Sequence, residues 1–99
     1  MLKKVFKETE EGRIYQVTFK LRTQSQSKSA HLLGEFNDWD PTINPMKRQK
    51  NGEFSVTVTL APGIYRFRYL LDGERWENDL AADSYMPNEY GSEDSVVEV

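Results

Sequence analysis

Cysteine is absent from this sequence and histidine occurs once, and these two shortages exclude several kinds of chemistry together. Without a thiol the chain has no disulfide, no thiolate metal site and no cysteine nucleophile. The lone imidazole of His31 builds neither a zinc site nor a catalytic triad, because no Ser–His pair has the spacing of a nucleophile motif. A glycine-rich phosphate loop is missing too. We therefore predict no catalytic residue, no metal site and no cofactor, and a place for His31 within a strand.

Long apolar runs and an excess of positive charge are also missing. The longest apolar stretches are a handful of residues, too short to span a bilayer. The net charge of −3 gives no electrostatic reason to expect nucleic acid or an anionic membrane as a partner. No apolar segment of the signal-peptide kind follows Lys3 and Lys4, and the lack of disulfides fits a reducing compartment. The expected location is the cytoplasm.

Acidic residues are plentiful in the second half of the chain, but they do not form the pattern of an enzyme or a metal site. A glycosidase needs two carboxylates at a fixed separation across a cleft, one of them in an apolar setting. The carboxylates here lie in segments rich in other polar groups, and no loop has the alternating oxygen ligands of a calcium motif. We predict structural or solubilising roles for them: Asp72, Glu74, Asp79, Asp83, Glu89, Glu93 and Asp94.

Alternation of apolar and polar residues dominates the sequence, and it is typical of half-buried antiparallel strands. It is clearest in segments separated by tight-turn dipeptides: 15–21, 54–60 and 65–71, with Asn51-Gly52, Pro62-Gly63 and Asp72-Gly73. Further strands are predicted at 30–36, at 95–99 and, from an adjacent rather than alternating pair, at Val5 and Phe6. Seven to eight short strands in 99 residues predict one all-β domain, residues 1–99, with an immunoglobulin-like antiparallel β-sandwich. A small barrel is the alternative.

Two tryptophans, Trp39 and Trp76, stand in polar, turn-rich segments. An indole offers the largest flat apolar face of any side chain and one N–H donor, so two such faces beside polar groups suit a sugar ring. Asn37 and Asp38 precede Trp39 and are expected to shape its turn through side-chain hydrogen bonds to the backbone. The other interpretation of Trp39 is that it folds back and caps the sandwich.

Two arginines alternate with core residues in the strand before Trp76. The pattern turns Phe67 inward, so that Arg66 and Arg68 face the other side of the sheet. Arg68 lies nearer Trp76, where its guanidinium can offer hydrogen-bond donors to hydroxyl groups. Arg66 is predicted to be an ordinary solvated residue of that face.

Taken in order, several segments resemble a known family: Leu32-Leu33-Gly34-Glu35-Phe36-Asn37-Asp38-Trp39-Asp40, Pro45-Met46, Asn51-Gly52-Glu53-Phe54-Ser55-Val56, Leu60-Ala61-Pro62-Gly63-Ile64-Tyr65-Arg66-Phe67 and Leu71-Asp72-Gly73. They are similar to the glycogen-binding module (carbohydrate-binding module family 48) found ahead of the catalytic barrel in isoamylases and glycogen branching enzymes. The same module occurs in the β subunit of AMP-activated protein kinase. The resemblance extends from Phe19 to Val99. It implies an early-set immunoglobulin-like sandwich and an α-1,4-linked glucan as ligand.

The resemblance also implies which residues contact the glucan. Trp39 and Trp76 match the two tryptophans that stack on glucose rings, and Arg68 matches a basic residue that hydrogen-bonds the sugar. Tyr90 falls near an aliphatic residue that pushes into the curve of the glucan. Asp94 stands where the family has an asparagine that contacts sugar hydroxyls, and an aspartate accepts hydrogen bonds but lacks the donors of the amide.

The sequence therefore predicts a non-catalytic module that binds an α-glucan polysaccharide or oligosaccharide, such as glycogen or maltodextrin. Trp39 and Trp76 would form the platform with Tyr90 beside it, and Arg68 and Asp94 would hold hydroxyls. The alternative is a protein-interaction module of the same fold that docks a glucan-processing enzyme and binds sugar weakly or not at all; Asp94 motivates it. An enzyme acting on glucan has the least support, because no acid–base pair is evident.

Overall fold

In the computed structural model, which describes residues 2–10, 12–22 and 27–99, the chain forms two antiparallel sheets that pack as a sandwich. A turn of 3₁₀ helix, Glu35–Asn37, follows the third strand. The described residues form nine strands: β1 (Leu2–Thr9), β2 (Gly12–Leu21), β3 (Ala30–Gly34), β4 (Lys47–Arg48), β5 (Phe54–Leu60), β6 (Ile64–Leu71), β7 (Arg75–Glu77), β8 (Ser84–Pro87) and β9 (Glu93–Glu98).

The strands divide into a first sheet of four and a second sheet of five. The first has the order β1-β2-β5-β4, and the second has the order β3-β6-β9-β8, with β7 also paired to β6. Neighbouring strands run antiparallel in both sheets. This architecture confirms the predicted all-β, immunoglobulin-like sandwich. His31 lies in β3, as expected.

The core lies between the sheets and consists of the inward-facing residues of the alternating segments. Val17 and Phe19 come from the first sheet and Phe67 and Tyr69 from the second, and all are buried. The rings of Phe19 and Phe67 meet edge to face with their centroids 5.0 Å apart. Phe67 and Tyr69 meet in the same way at 5.7 Å. Aromatic rings thus supply much of the buried apolar area.

The first strand is longer than the sequence predicted, and three short strands were missed. β1 runs over Leu2–Thr9 and pairs with β2 along its whole length, although only Val5 and Phe6 indicated it. The lysines of β1 interrupt the alternation of apolar and polar residues that marks the other strands. Charged side chains are common in edge strands, and β1 lies at the edge of the first sheet. The missed strands are β4, β7 and β8, of two, three and four residues, and they raise the count above seven or eight.

The strand predicted for 30–36 ends at Gly34 instead. A methyl group on Gly34 would lie 2.6 Å from the carbonyl oxygen of Arg66 and 2.8 Å from the ring of Phe36, so only glycine fits this close approach. After Gly34 the chain leaves the sheet, and the side chain of Glu35 replaces a backbone acceptor. Its Oε1 accepts the N–H of Arg66 at 2.6 Å. Because β3 ends at Gly34, the following loop, which carries Trp39, is not paired with a neighbouring strand.

Two of the acidic residues have structural roles. Asp72 closes the turn between β6 and β7, and its Oδ1 accepts the backbone N–H groups of Lys28 (2.7 Å) and Ser29 (3.1 Å). These two hydrogen bonds hold the pKa of Asp72 below its usual value. Asp79 is buried, and its Oδ2 accepts the hydroxyl hydrogen of Tyr69 at 2.7 Å. The pair ties the loop after β7 to the core.

We expect the free energy of unfolding to fall above pH 10 with a slope that depends on Tyr69. Burial and the neighbouring Asp79 carboxylate raise the pKa of Tyr69 far above its ordinary value of 10.0. Above that ordinary value the unfolded chain loses the Tyr69 proton while the folded chain keeps it. Stability therefore falls as the pH rises, by about 1.4 kcal/mol per pH unit. In urea unfolding across this range, the free energy of unfolding should fall more steeply in the wild type than in Tyr69→Phe; equal slopes would contradict the assignment.

Candidate functional site

A cleft of about 900 Å³ lies on the outer face of the second sheet, away from the core. Its position follows from the alternation of β6: Phe67 is buried in the core, so Arg66 and Arg68 point outward. In the pairing of β7 with β6, Trp76 lies opposite Leu70 and shares the face of Arg68. The structure brings all the sequence-predicted site residues together in the lining of this cleft: Trp39, Arg68, Trp76, Tyr90 and Asp94.

Trp39 reaches the cleft from the loop after β3, where the backbone is strained. Asp38 and Trp39 have positive φ angles of 55° and 58°, a region that costs residues other than glycine about 1–2 kcal/mol each. The N–H of Trp39 donates to the carbonyl oxygen of Gly34 at 3.0 Å and closes the loop. Trp39 is half-buried, and the described side chains that pack against the core do not include it. Stored strain of this kind is a feature of binding sites.

Asn37 fixes the shape of this loop. It is 5% exposed, and its Oδ1 accepts the N–H of Gly34 at 3.0 Å. Its Nδ2 donates to the carbonyl oxygen of Leu32 at 2.9 Å and to Oδ1 of Asn44 at 2.8 Å. Two buried hydrogen bonds thus join β3 to the loop that carries Trp39, and a third, partly buried, joins Asn37 to Asn44. The structural role predicted for Asn37 is confirmed.

Trp76 and Arg68 form a second part of the cleft. Trp76 lies in β7 with 45% of its surface exposed. The guanidinium carbon of Arg68 lies 5.7 Å from the centroid of the Trp76 ring, within the range of a cation–π contact. The Nε of Arg68 is buried and has no hydrogen-bond partner among the described residues. A guanidinium carries five N–H donors, so Arg68 can offer hydrogen bonds to a hydroxyl oxygen that enters the cleft.

Tyr90 stands at the rim of the cleft on the loop between β8 and β9, and it is 84% exposed. The loop turns at Gly91, whose φ of 81° is accessible to glycine at little cost. The N–H of Gly91 donates to the carbonyl oxygen of Asn88 at 3.4 Å. An aromatic ring so open to solvent contributes little to the core and is available to a ligand.

Asp94 lies in the cleft wall but is almost fully buried, with 7% of its surface exposed. One carboxylate oxygen lies 3.5 Å from Nη1 of Arg66, and the other accepts from Nδ2 of Asn88 at 3.1 Å. The same Nη1 of Arg66 also donates to the carbonyl oxygen of Pro87 at 3.2 Å. Both oxygens of Asp94 are therefore engaged by the protein, and its contact with a sugar stays a prediction.

Arg66 corrects the sequence interpretation. It was expected to be an ordinary solvated residue, whereas it lines the cleft and is paired with Asp94. The sequence pattern placed Arg66 on the correct face, but the partner comes from β9, and no local pattern reports that pairing. No sequence pattern indicated four further lining residues: Glu35, Pro87, Asn88 and Glu89.

The chemistry of the cleft is that of stacking and hydrogen bonding. Three aromatic residues and the guanidinium of Arg68 suit a ligand with flat apolar patches and hydroxyl edges. Within residues 2–10, 12–22 and 27–99, no group of three or more acidic or histidine side chains is placed to hold a metal ion. No helix in that part of the chain is long and apolar enough to cross a membrane.

A family model matches most of the chain. The model described as the glycogen recognition site of AMP-activated protein kinase matches residues 15–99. The matched range contains every residue that lines the cleft.

Two curated proteins are also similar in sequence. Protein PTST homolog 2, chloroplastic, of Arabidopsis thaliana is 40% identical over 48 residues, which are 48% of this chain and 9% of that protein. The SNF1 protein kinase subunit beta-2 of Saccharomyces cerevisiae is 29% identical over 72 residues, 72% of this chain and 16% of that protein. The chain thus spans a small part of the length of either relative.

Proposed function

The chain belongs to the family of glycogen recognition modules described for AMP-activated protein kinase, and on that premise we propose that it binds α-1,4-linked glucan, such as glycogen or maltodextrin, without cleaving it. The observation that carries the proposal is the shared lining of one cleft by Trp39, Trp76 and Tyr90, with the guanidinium of Arg68 beside Trp76. Aromatic faces and a hydrogen-bond donor are the two kinds of group that a sugar ring needs.

The three rings would stack on the C–H faces of successive glucose units. Trp39 and Trp76 approach the cleft from opposite edges of β6, one from the loop after β3 and one from β7. A glucan chain lying across β6 would pass over Arg68, whose guanidinium can donate to a hydroxyl oxygen. An α-1,4-linked chain curves, so a ring at the rim, Tyr90, can meet it as well.

The affinity expected from these contacts is modest. By analogy with aromatic stacking on nucleic acid bases, each ring contributes ~1–3 kcal/mol. Ordering a flexible oligosaccharide opposes this gain. The balance predicts a dissociation constant in the micromolar to millimolar range.

Titration with maltoheptaose while recording tryptophan fluorescence tests the proposal. Both tryptophans of the chain line the cleft, so the emission should change and saturate. Cellohexaose is the matched control, because its β-linked chain is straight and should bind far more weakly. No change with maltoheptaose at millimolar concentration would contradict the proposal, as would equal responses to both sugars. Release of reducing sugar during long incubation with maltoheptaose would contradict the non-catalytic role.

Docking of a glucan-processing enzyme is the second candidate, and Asp94 favours it. The carboxylate that replaces the family's asparagine is engaged by Arg66 and Asn88, so one sugar contact expected for the family is altered. One relative is, by its name, a subunit of a protein kinase. Co-purification of a glucan-processing enzyme that excess maltoheptaose does not displace would support docking through another surface. Displacement of the enzyme by the sugar would instead show that the two compete for the cleft, and would favour glucan binding as the function.

A further inference from the structure

In the loop between β8 and β9, several hydrogen bonds of one side chain, Asn88, surround the backbone of Tyr90. We propose that Asn88, anchored by Asp94 and Arg66, is a positioning residue that fixes Tyr90 at the rim of the cleft and so sets the affinity for glucan. The inference rests on the proposed glucan-binding function and deepens it. It assigns Asp94 a role through Asn88 rather than through a sugar hydroxyl.

Asn88 bonds the loop from within. Its Oδ1 accepts the N–H of Tyr90 at 3.0 Å and the N–H of Ser92 at 3.2 Å. The bond to the residue two positions on is an Asx turn, which sets the backbone direction at Tyr90. The backbone N–H of Asn88 also donates to the carbonyl oxygen of Ser92 at 2.9 Å and closes the loop. One side chain therefore determines the path of the backbone through Tyr90.

Asp94 and Arg66 tie this loop to the centre of the second sheet. Nδ2 of Asn88 donates to Oδ1 of Asp94 at 3.1 Å. The other oxygen of Asp94 meets Nη1 of Arg66 at 3.5 Å, and Nη1 also donates to Pro87, the last residue of β8. Arg66 belongs to β6, which pairs with β3, β7 and β9. A buried carboxylate needs such partners, and here the partners orient the loop.

Tyr90 needs this support because little else holds it. Its ring is almost fully exposed, so packing does not fix its position. A ligand that had to order a mobile loop would lose affinity, and a loop ordered in advance avoids that loss. Asn88 therefore acts on the glucan through Tyr90.

A double-mutant cycle tests the assignment. Dissociation constants for maltoheptaose are measured by calorimetry for the wild type, Asn88→Ala, Tyr90→Ala and the double variant. We expect each single substitution to weaken binding by roughly tenfold. Because Asn88 acts through Tyr90, the double variant should be within about twofold of Tyr90→Ala. The inference would be overturned if the loss of affinity in the double variant equalled the product of the two single losses. It would also be overturned if Asn88→Ala bound maltoheptaose as tightly as the wild type.

A second measurement needs no sugar. The ¹⁵N heteronuclear NOE of the Tyr90 and Gly91 amides should fall in Asn88→Ala and stay high in the wild type. Asn51→Ala is the matched control, because Asn51 makes the same kind of turn bond to the N–H of Glu53 (3.0 Å) outside the cleft. It should change neither the NOE at Tyr90 nor the affinity. An unchanged NOE in Asn88→Ala would overturn the positioning role.

The conservative variant Asp94→Asn gives a further check. Its single carbonyl oxygen can still accept from Asn88, although the amide loses the second acceptor that faces Arg66. The NOE at Tyr90 and the affinity should therefore fall less in Asp94→Asn than in Asp94→Ala. Equal behaviour of the two variants would contradict the link through Asp94. If the wild type does not bind maltoheptaose, the proposed function is overturned as well. If it binds but the losses in Asn88→Ala and Tyr90→Ala multiply in the double variant, the positioning role alone is overturned.

Discussion

Trp76→Ala should weaken the binding of maltoheptaose by about 10- to 100-fold, the largest effect of any single side chain in the cleft. The indole is open to solvent and shares its face of the sheet with Arg68. Its removal takes away a stacking surface and also the contact that holds the guanidinium over the ring. The free energy of unfolding should change little, because Trp76 lies outside the core cluster. Isothermal titration calorimetry measures the effect.

Phe6→Ala is the matched control for Trp76→Ala. Phe6 lies on β1 in the first sheet, far from the cleft lining, and its exposure of 49% is close to that of Trp76. Its ring meets Tyr15 edge to face at 5.3 Å. We expect the affinity for maltoheptaose to stay at the wild-type value in Phe6→Ala. Equal losses in both variants, or no loss in Trp76→Ala, would contradict the platform.

Asn37→Ala should lower the free energy of unfolding by about 2–4 kcal/mol, because it leaves buried polar groups without partners. The N–H of Gly34 and the carbonyl oxygen of Leu32 both lose a hydrogen bond. The loop that holds Trp39 at positive φ loses its main tie to β3. The affinity for maltoheptaose should therefore fall in the same variant, even at temperatures where it is fully folded. Urea unfolding and calorimetry measure the two effects.

Asn51→Ala serves as the control for this substitution too. Asn51 is exposed and makes one turn bond, to Glu53. Its loss should cost well under 1 kcal/mol and leave the affinity unchanged. Equal free energies of unfolding for Asn37→Ala and Asn51→Ala would contradict the stabilising role given to the two buried hydrogen bonds of Asn37.

Much of the second sheet was predictable because its information is local. The alternation in 65–71 placed Phe67 in the core and Arg68 on the outer face, and both positions hold. The Asp72-Gly73 dipeptide marked the turn, where both residues have positive φ. The alternation and the turn depend only on residues close together in the chain, so they can be predicted from a single sequence.

The rest of the site depends on contacts that no local pattern reports. Trp39 adopts a left-handed conformation that favours glycine or asparagine, and it does so because Asn37 fixes the loop from residues before and after it. Arg66 meets Asp94 only because β9 pairs with β6 in a register set by the whole sandwich. No sequence pattern indicated Asn88, because its hydrogen bond to Asp94 depends on that same pairing.

The most direct test of glucan binding in the cleft follows the two indole N–H signals in ¹⁵N–¹H spectra during titration with maltoheptaose. The chain has two tryptophans and both line the cleft, so both signals report on the site. We predict that both shift and saturate together, along with the amide of Tyr90, while amides of β1 on the other sheet stay in place. Indole signals that remain fixed at millimolar maltoheptaose, or shifts confined to the first sheet, would contradict the account.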